Sequence, residues 1–569
     1  MAIVGVGPKG LFALERLLDH ARGAADSAAF EIDLFEPHAV PGAGPVYDTG
    51  QSRFLRMNLP AEQLNMWWPH GRSSSRRYGL SFEDWRARRG FGDSESYAPR
   101  AEVGHYLADG FDQLLRDAPD NASTRLHRES VVRVHRYGDW MLDSSDSDGR
   151  HTRRYDEVLI ATGHGDLAAA GSDQAWTHAA PLVPAVFPVE RRLARASVAP
   201  GATVAVRGFA LTFIDAALAL SEGRGGRFEA LPHPYRLSYT PGAGQVRSIL
   251  PFSRSGRPML AKPDPRIAAE TTGLEEIAET GRLHLSRLHS PCEVEQDLLP
   301  ILTSTAASSL RLATEAGAPG ERVERSSRSI FRTLVAGTRG MTSGMASDAA
   351  AELDESLAVG SGLRPPGGAW ALGHTWRVLY PAIVEKLSHG GLVPSEWPAF
   401  HRLAGEMERL AFGPPPLNAA KLLALIEAGI VDLAYLRRGR LVTDDGVTML
   451  SLGKRSRAVD VVLDAVLCAP GPQARPGGIV SGLLADGHVR IQSGTRGVEV
   501  RSDGSCVDAT GAVSRGLALL GRASEDSVVG NDTLNRTLHP LADRWARRVV
   551  ARAAHSGRHV HAALIAEPA

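Results

Sequence analysis

Ala2-Ile3-Val4-Gly5-Val6-Gly7-Pro8-Lys9-Gly10, running into Leu11-Phe12-Ala13-Leu14-Glu15-Arg16-Leu17-Leu18, opens the chain. A short apolar run enters a Gly-x-Gly-x-x-Gly, after which Leu11, Leu14, Leu17 and Leu18 recur at helical spacing. The glycines have separate jobs: Gly5 makes the tight turn, Gly7 lets the backbone approach a pyrophosphate, and Gly10 lets helix and strand pack closely. Pro8 and Lys9 stand at the helix start, whose free N–H groups and positive dipole end suit an anion. A second strand, Glu31-Ile32-Asp33-Leu34-Phe35, ends at Glu36-Pro37, and the Glu36 carboxylate can accept both hydroxyls of a ribose without a 2′-phosphate. A lone glycine pattern is weak evidence. Strand, glycines, amphipathic helix, second strand and terminal acid in that order predict a dinucleotide-binding βαβ unit, with FAD and NAD both fitting Glu36.

Composition narrows the classes. The chain has 569 residues, enough for three to four units at about 150 residues each. Lys+Arg and Asp+Glu are 64 each, so the excess of cations that drives nucleic-acid binding is missing. Glycine, at 59 residues, exceeds the usual ~7%, in keeping with many tight turns. Cys292, Cys468 and Cys506 are far apart, which argues against a disulfide framework, a redox pair or a cysteine metal site. His555, His559 and His561 lie in an Arg-rich terminal stretch without an acidic ligand, so no metal is expected. No run approaches ~18 apolar residues, and a strand beginning at Ala2 leaves no room for a signal peptide. The expectation is a cytoplasmic protein with no membrane and no nucleic-acid partner; assembly of identical chains is compatible with it.

Three further segments extend the pattern. Tyr155–Ile160 runs as a strand into Ala161-Thr162-Gly163, and Asp460–Leu467 into Cys468-Ala469-Pro470-Gly471; both read as returns to the first sheet. Between them, Ala202–Arg207, Gly208-Phe209-Ala210-Leu211-Thr212-Phe213 and a helix form a second strand–turn–helix. It keeps only the first glycine, with Ala210 and Phe213 in place of the other two. Ser253-Arg254-Ser255-Gly256-Arg257 follows the next strand, where a cation would meet the 2′-phosphate of NADPH or a substrate carboxylate.

These segments, with PGAGPVYDTGQSRFLRMNLPAEQLNMWW, SRSGRPMLAKP and GLALLGRASEDSVVGNDTLNR, resemble the bacterial FAD-NAD(P)-binding family related to flavin-dependent N-hydroxylating monooxygenases. More narrowly, LRMN, the Trp pair and SRSGRPMLAKP are similar to actinobacterial aspartate N-oxygenases, which convert aspartate to nitrosuccinate. The resemblance implies an α/β fold with two Rossmann-like domains, for FAD and NADPH, and a mainly helical additional region. Residues 1–170 and 455–569 would form a discontinuous FAD domain, 180–264 the NADPH domain and 265–454 the helical region. Gly42, Gly44 and Tyr47 would shape a turn beside the FAD, with Thr162, Gly163, Gly521, Asp532 and Leu534 completing its site. Arg56, Met57, Asn58 and Leu59 would pass the flavin ring, Asn58 and Gln63 being the candidate catalytic groups. Trp67 and Trp68 read equally as core or as pocket wall. Gly208, Thr212 and Arg254 would serve NADPH, while Arg56, Arg257 and Lys262 would hold the carboxylates of a small amino acid oxidised with O₂. Two alternatives stay open: a flavin dehydrogenase or oxidase without oxygen insertion, and a non-catalytic nucleotide-binding protein.

Overall fold

The computed structural model describes residues 1–24, 29–69, 79–91, 96–163, 179–265, 273–314, 330, 334, 348–472, 477–531, 533–556 and 563–565. Strand β1 (Ala2–Val4), helix α1 (Pro8–Arg22) and strand β2 (Phe30–Phe35) form in the order the sequence predicts. β1 lies between two parallel neighbours, Val4 facing Phe35 on one side and Ile160 of the Val158–Ile160 strand on the other. Ala122–His127 extends the sheet beyond β2, and Val513–Leu519 and Ser505–Val507 extend it beyond Val158–Ile160. Leu11, Leu14, Leu17 and Leu18 are all buried, so α1 covers one face of this sheet as its spacing requires.

A second parallel sheet runs in the order Ser248–Phe252, Thr203–Arg207, Val461–Asp464, Leu182–Val183. Its third strand corrects one expectation. Asp460–Leu467 does not return to the first sheet; Val462 pairs with Ala205 of the second. An apolar run of this kind fits either sheet, and the polar ends decide: Asp460 accepts from the Thr203 N–H at 2.7 Å and Asp464 pairs with Arg207. The chain rejoins the first sheet only at Ser505, well past residue 455. Likewise the 265–454 region is mainly helical but ends in an antiparallel hairpin, Arg440–Asp444 with Val447–Leu452.

The helices Leu274–Arg287, Leu299–Ala313, Gly368–Leu387 and Trp397–Ala411 share a core built around Trp376, Leu379 and Ile383. This layer is fastened to the C-terminal segment. The His389 N–H donates to the Ser527 carbonyl at 2.8 Å, and Asp526 accepts from His401 at 2.9 Å and from Arg496 at 2.8 Å. Burial alone would push the Asp526 carboxyl up, but His401 and Arg496 hold it below its ordinary value. Its stabilisation is therefore present above the unfolded carboxylate range and lost as pH falls through the lowered value. Asp526→Asn, which tolerates the φ of +76° there, is expected to cost about 1.5–3 kcal/mol at pH 7. Denaturant midpoints of variant and wild type should converge as the pH drops below that range.

Candidate functional site

Gly7 caps α1, with Pro8 as its first residue. Gly5, at φ +89°, is pressed against the turn after Val158–Ile160: a Cβ there would lie 2.7 Å from the Ala161 carbonyl oxygen. At Gly10 a Cβ would overlap the Gly5 carbonyl oxygen. Gly7 is different. Its backbone is extended (φ −73°, ψ −169°), and an added Cβ would meet only the Gly44 Cα, at 3.8 Å. The polypeptide itself has no need of glycine at this position, whereas a pyrophosphate drawn up to the helix N-terminus does. The residues present thus fit a dinucleotide.

The rest of the cradle surrounds that helix end. Glu36, 3% exposed, accepts from the Val6 N–H at 2.9 Å and from the His38 N–H at 3.0 Å. The oxygen bound by the His38 N–H also meets His38 Nδ1 at 2.7 Å and is filled, whereas the oxygen bound by Val6 has capacity for a further donor such as a ribose hydroxyl. Pro37, next to it, is exposed. The Gly42 N–H donates to the Val6 carbonyl at 2.6 Å, and Thr162 and Gly163 continue the turn that confines Gly5. A Cβ on Gly521 would lie 3.7 Å from Lys9 Cγ, and Asn531 fixes that turn by donating to the Gly521 carbonyl at 3.2 Å. Tyr47 sets its carbonyl against Gly104, while Met57 and Leu534 are buried in the first core with Leu59 packed against it. Asp532 lies outside the described residues.

The second unit repeats the bond that closes the first glycine turn. The Gly5 N–H donates to the Phe35 carbonyl and the Gly208 N–H to the Phe252 carbonyl, both at 2.9 Å. By that correspondence Ala210, the cap of helix Leu211–Leu220, stands for Gly7, and fully buried Phe213 for Gly10. Thr212 lies in the first turn of that helix. Ser253 then replaces Glu36, and Arg254 follows, exposed and unpaired among the described residues. A missing carboxylate beside an unpaired arginine suits a 2′-phosphate. Arg254→Ala is expected to raise the KM for NADPH by the worth of one charge-assisted bond, about 1.5–3 kcal/mol, with NADH almost unaffected. Steady-state kinetics with both cofactors checks it; equal losses would remove Arg254 from the phosphate.

Arg257 does not behave as expected of a free cation. Its Nη1 donates to Glu406 at 2.9 Å, and Glu406 is shared with Arg409 at 3.0 Å, so its charge is already matched. Arg56 is buried and donates to the Tyr97 carbonyl at 2.9 Å. Trp67 packs in the first core, while Trp68 lies 5.7 Å from the guanidinium carbons of Arg16 and Arg536; Gln63 is exposed. Glu129, Asp146 and His151 bring ligand atoms within 4.8 Å of one another, but Arg153 and Ser144 already engage the Glu129 carboxylate.

Lys262, in contrast, lies at the centre of a cluster. It is 7% exposed, its ammonium donates to the Asn58 carbonyl, and it sits 5.4 Å from the centre of the Phe412 ring. Helix Gly368–Leu387 carries Trp370, His374 and Arg377 at i, i+4, i+7; Trp370 stacks on His374 with ring centres 5.1 Å apart, and Arg377 acts electrostatically on both His374 and Lys262. Arg377 donates to the Ala411 carbonyl at 3.3 Å, and Tyr97 donates to the Pro263 carbonyl at 3.0 Å. Burial, reinforced by Arg377, pushes Lys262 down to about 7 and His374 down to about 4; burial pushes Arg377 itself down to about 10. His374 and Arg377 are not among the residues the sequence singles out: GLRPPGGAW reads as a turn-rich loop, whereas the helix already begins at Gly368, and no motif surrounds the two side chains. The available signal was two titratable residues on one face of an apolar stretch.

Comparison with known proteins follows this geometry. The nitrosuccinic acid synthase npaA of Aspergillus oryzae is 34% identical over 278 residues, 46% of this chain and 41% of that protein. The L-aspartate N-monooxygenase (nitrosuccinate-forming) of Streptomyces davaonensis is 28% identical over 374 residues, 59% of this chain and 56% of that one. Its namesake from Streptomyces cremeus is 31% identical over 294 residues, 46% and 43% of the two chains. The chain spans about half the length of these curated relatives. Among solved structures, OTEMO with FAD and NADP aligns over 98% of this chain and 84% of its own, at 12% identity and a TM-score of 0.46. Residues 2–165, the segment that builds most of the first cradle, match the FAD-NAD(P)-binding family.

Proposed function

We propose that the protein is an FAD- and NADPH-dependent monooxygenase that oxidises the amine of a small amino acid, L-aspartate, toward N-hydroxy and nitro products ending at nitrosuccinate. The observation that carries this reading is the likeness to relatives named for that reaction, in a chain with two successive dinucleotide cradles. When bound, FAD supplies acceptance of reducing equivalents from NADPH and activation of O₂. The chain's own residues bind and orient. The N-terminus of α1 and Gly7 hold the pyrophosphate, Glu36 takes a ribose hydroxyl, and Arg254 meets the nicotinamide 2′-phosphate. Asn58 stands at the substrate side, its carbonyl fixed by Lys262. Among the described residues no helix is long and apolar enough to cross a membrane. A cytoplasmic location, where reduced nicotinamide cofactor is available, belongs to the same reading.

The test is a product assay. Purified, FAD-loaded protein is given NADPH, air and aspartate, and products are identified by mass spectrometry. Nitrosuccinate or its N-hydroxy precursor is expected, and NADPH oxidation without any oxygenated amine would overturn the reading.

A further inference from the structure

We propose that Lys262 and Arg377, with His374 beside them, form the pocket that grips a substrate carboxylate. This rests on the reading of the protein as an amino-acid oxygenase and names the residues that set its specificity. Lys262 and Arg377 are electrostatic neighbours whose hydrogen bonds among the described residues go only to neutral carbonyls, of Asn58 and Ala411. The acids that act on the cluster do so at one remove, Asp264 and Glu62 through Tyr97 and Glu275 through His374. Among the described residues none of them is ion-paired to either cation. Other enclosed cations are matched, Arg257 by Glu406, Arg153 by Glu129 and Arg536 by Glu15; Arg224 resembles Lys262 and Arg377 in bonding only to carbonyls, of Gly244 and Leu193, but no unpartnered histidine accompanies it among the described residues. Two like charges drawn together and left unmatched cost stability, and an arriving anion supplies the missing charge.

The surroundings suit a carboxylate in particular. Arg377 offers a planar fork and Lys262 a point charge. His374 Nε2 is buried without a partner, and its lowered pKa leaves the ring neutral near pH 7, so it can donate one N–H without adding charge. His374 and Arg377 are strongly desolvated yet keep some accessible surface, the combination expected at the wall of a cleft. A chain of contacts links this cluster to the first cradle. Phe412 packs 5.1 Å from Tyr380, the Tyr380 hydroxyl occupies the space in front of Gly530, and Asn531 binds Gly521 beside α1.

Succinate, a dicarboxylate without an amine, separates binding from chemistry. Its binding to the FAD-loaded protein would be followed by calorimetry at pH 8 in phosphate and in Tris. An anion beside Lys262 raises that group's pKa, so wild-type binding is expected to take up protons and its heat to depend on the buffer. Lys262→Met and Arg377→Met should each weaken succinate at least tenfold, and Lys262→Met should abolish the buffer dependence. Wild-type binding without proton uptake would overturn the assignment, as would Met variants that keep FAD and bind succinate normally. So would variants that shift the FAD reduction potential while leaving succinate affinity unchanged, since the cations would then serve the flavin. If the Met variants do not fold, the wild-type heats and Arg377→Lys, expected to bind weakly, decide. Proton-linked succinate binding in a protein that never oxygenates aspartate would keep the pocket and remove the reaction; nitrosuccinate formation with unaltered binding in both variants would do the reverse.

Discussion

Gly7→Val is expected to yield a folded, colourless protein. The backbone at Gly7 is extended, a conformation valine adopts readily, and its Cβ would lie 3.8 Å from the Gly44 Cα, an ordinary contact. The two methyl groups beyond that Cβ have only the cradle to occupy, where a pyrophosphate must sit against the first turn of α1. The variant should therefore lose stoichiometric FAD while its thermal transition stays within a few degrees of apo wild type. Gly10→Val is the necessary contrast. Its Cβ overlaps the Gly5 carbonyl oxygen, so helix and strand cannot close and the protein should fail to fold rather than merely lose colour. Absorbance at the flavin bands together with a melting curve distinguishes the two outcomes. A yellow, FAD-saturated Gly7→Val protein would remove the first cradle from the flavin.

The contrast between these two glycines shows what the sequence makes legible. Gly5, Gly7 and Gly10 each act through backbone geometry, which a local pattern specifies, and the structure finds each in the setting its place in the pattern calls for. Val461–Asp464 was misplaced because an apolar run buried on both faces carries no mark of which sheet it joins; the partners of Asp460 and Asp464 are some 257 residues away. Arg257 looked available for the same reason, since Glu406 lies 149 residues off. His374 and Arg377 were missed in the opposite sense. Their importance lies in charge that no ion pair among the described residues matches, and that cannot be read from neighbours in sequence. Local conformation is written locally; charge compensation is not.

Charge compensation also governs the choice of substrate. Aspartate is expected to exceed asparagine in kcat/KM by roughly the cost of leaving a buried cation unpaired, about 3–5 kcal/mol, or some hundred- to several-thousand-fold. The chain as a whole is neutral, with 64 basic and 64 acidic residues, so this selectivity has to arise inside the pocket and not from a long-range field. The pH dependence should show two opposed ionisations. The substrate amine must be neutral to attack, which favours high pH. Lys262 must be protonated to hold a carboxylate, and in the free enzyme it loses its proton above about 7. Raising the pH should thus increase kcat while also increasing KM, giving a bell-shaped kcat/KM whose alkaline limb disappears in Lys262→Met. Product formation, not NADPH oxidation, has to be the measure, because uncoupled turnover consumes NADPH without oxygenating an amine. Ornithine or lysine as the preferred substrate would keep the reaction class but remove the dicarboxylate. The absence of an oxygenated product from aspartate, glutamate, asparagine, ornithine and lysine alike would return the protein to electron transfer without oxygen insertion.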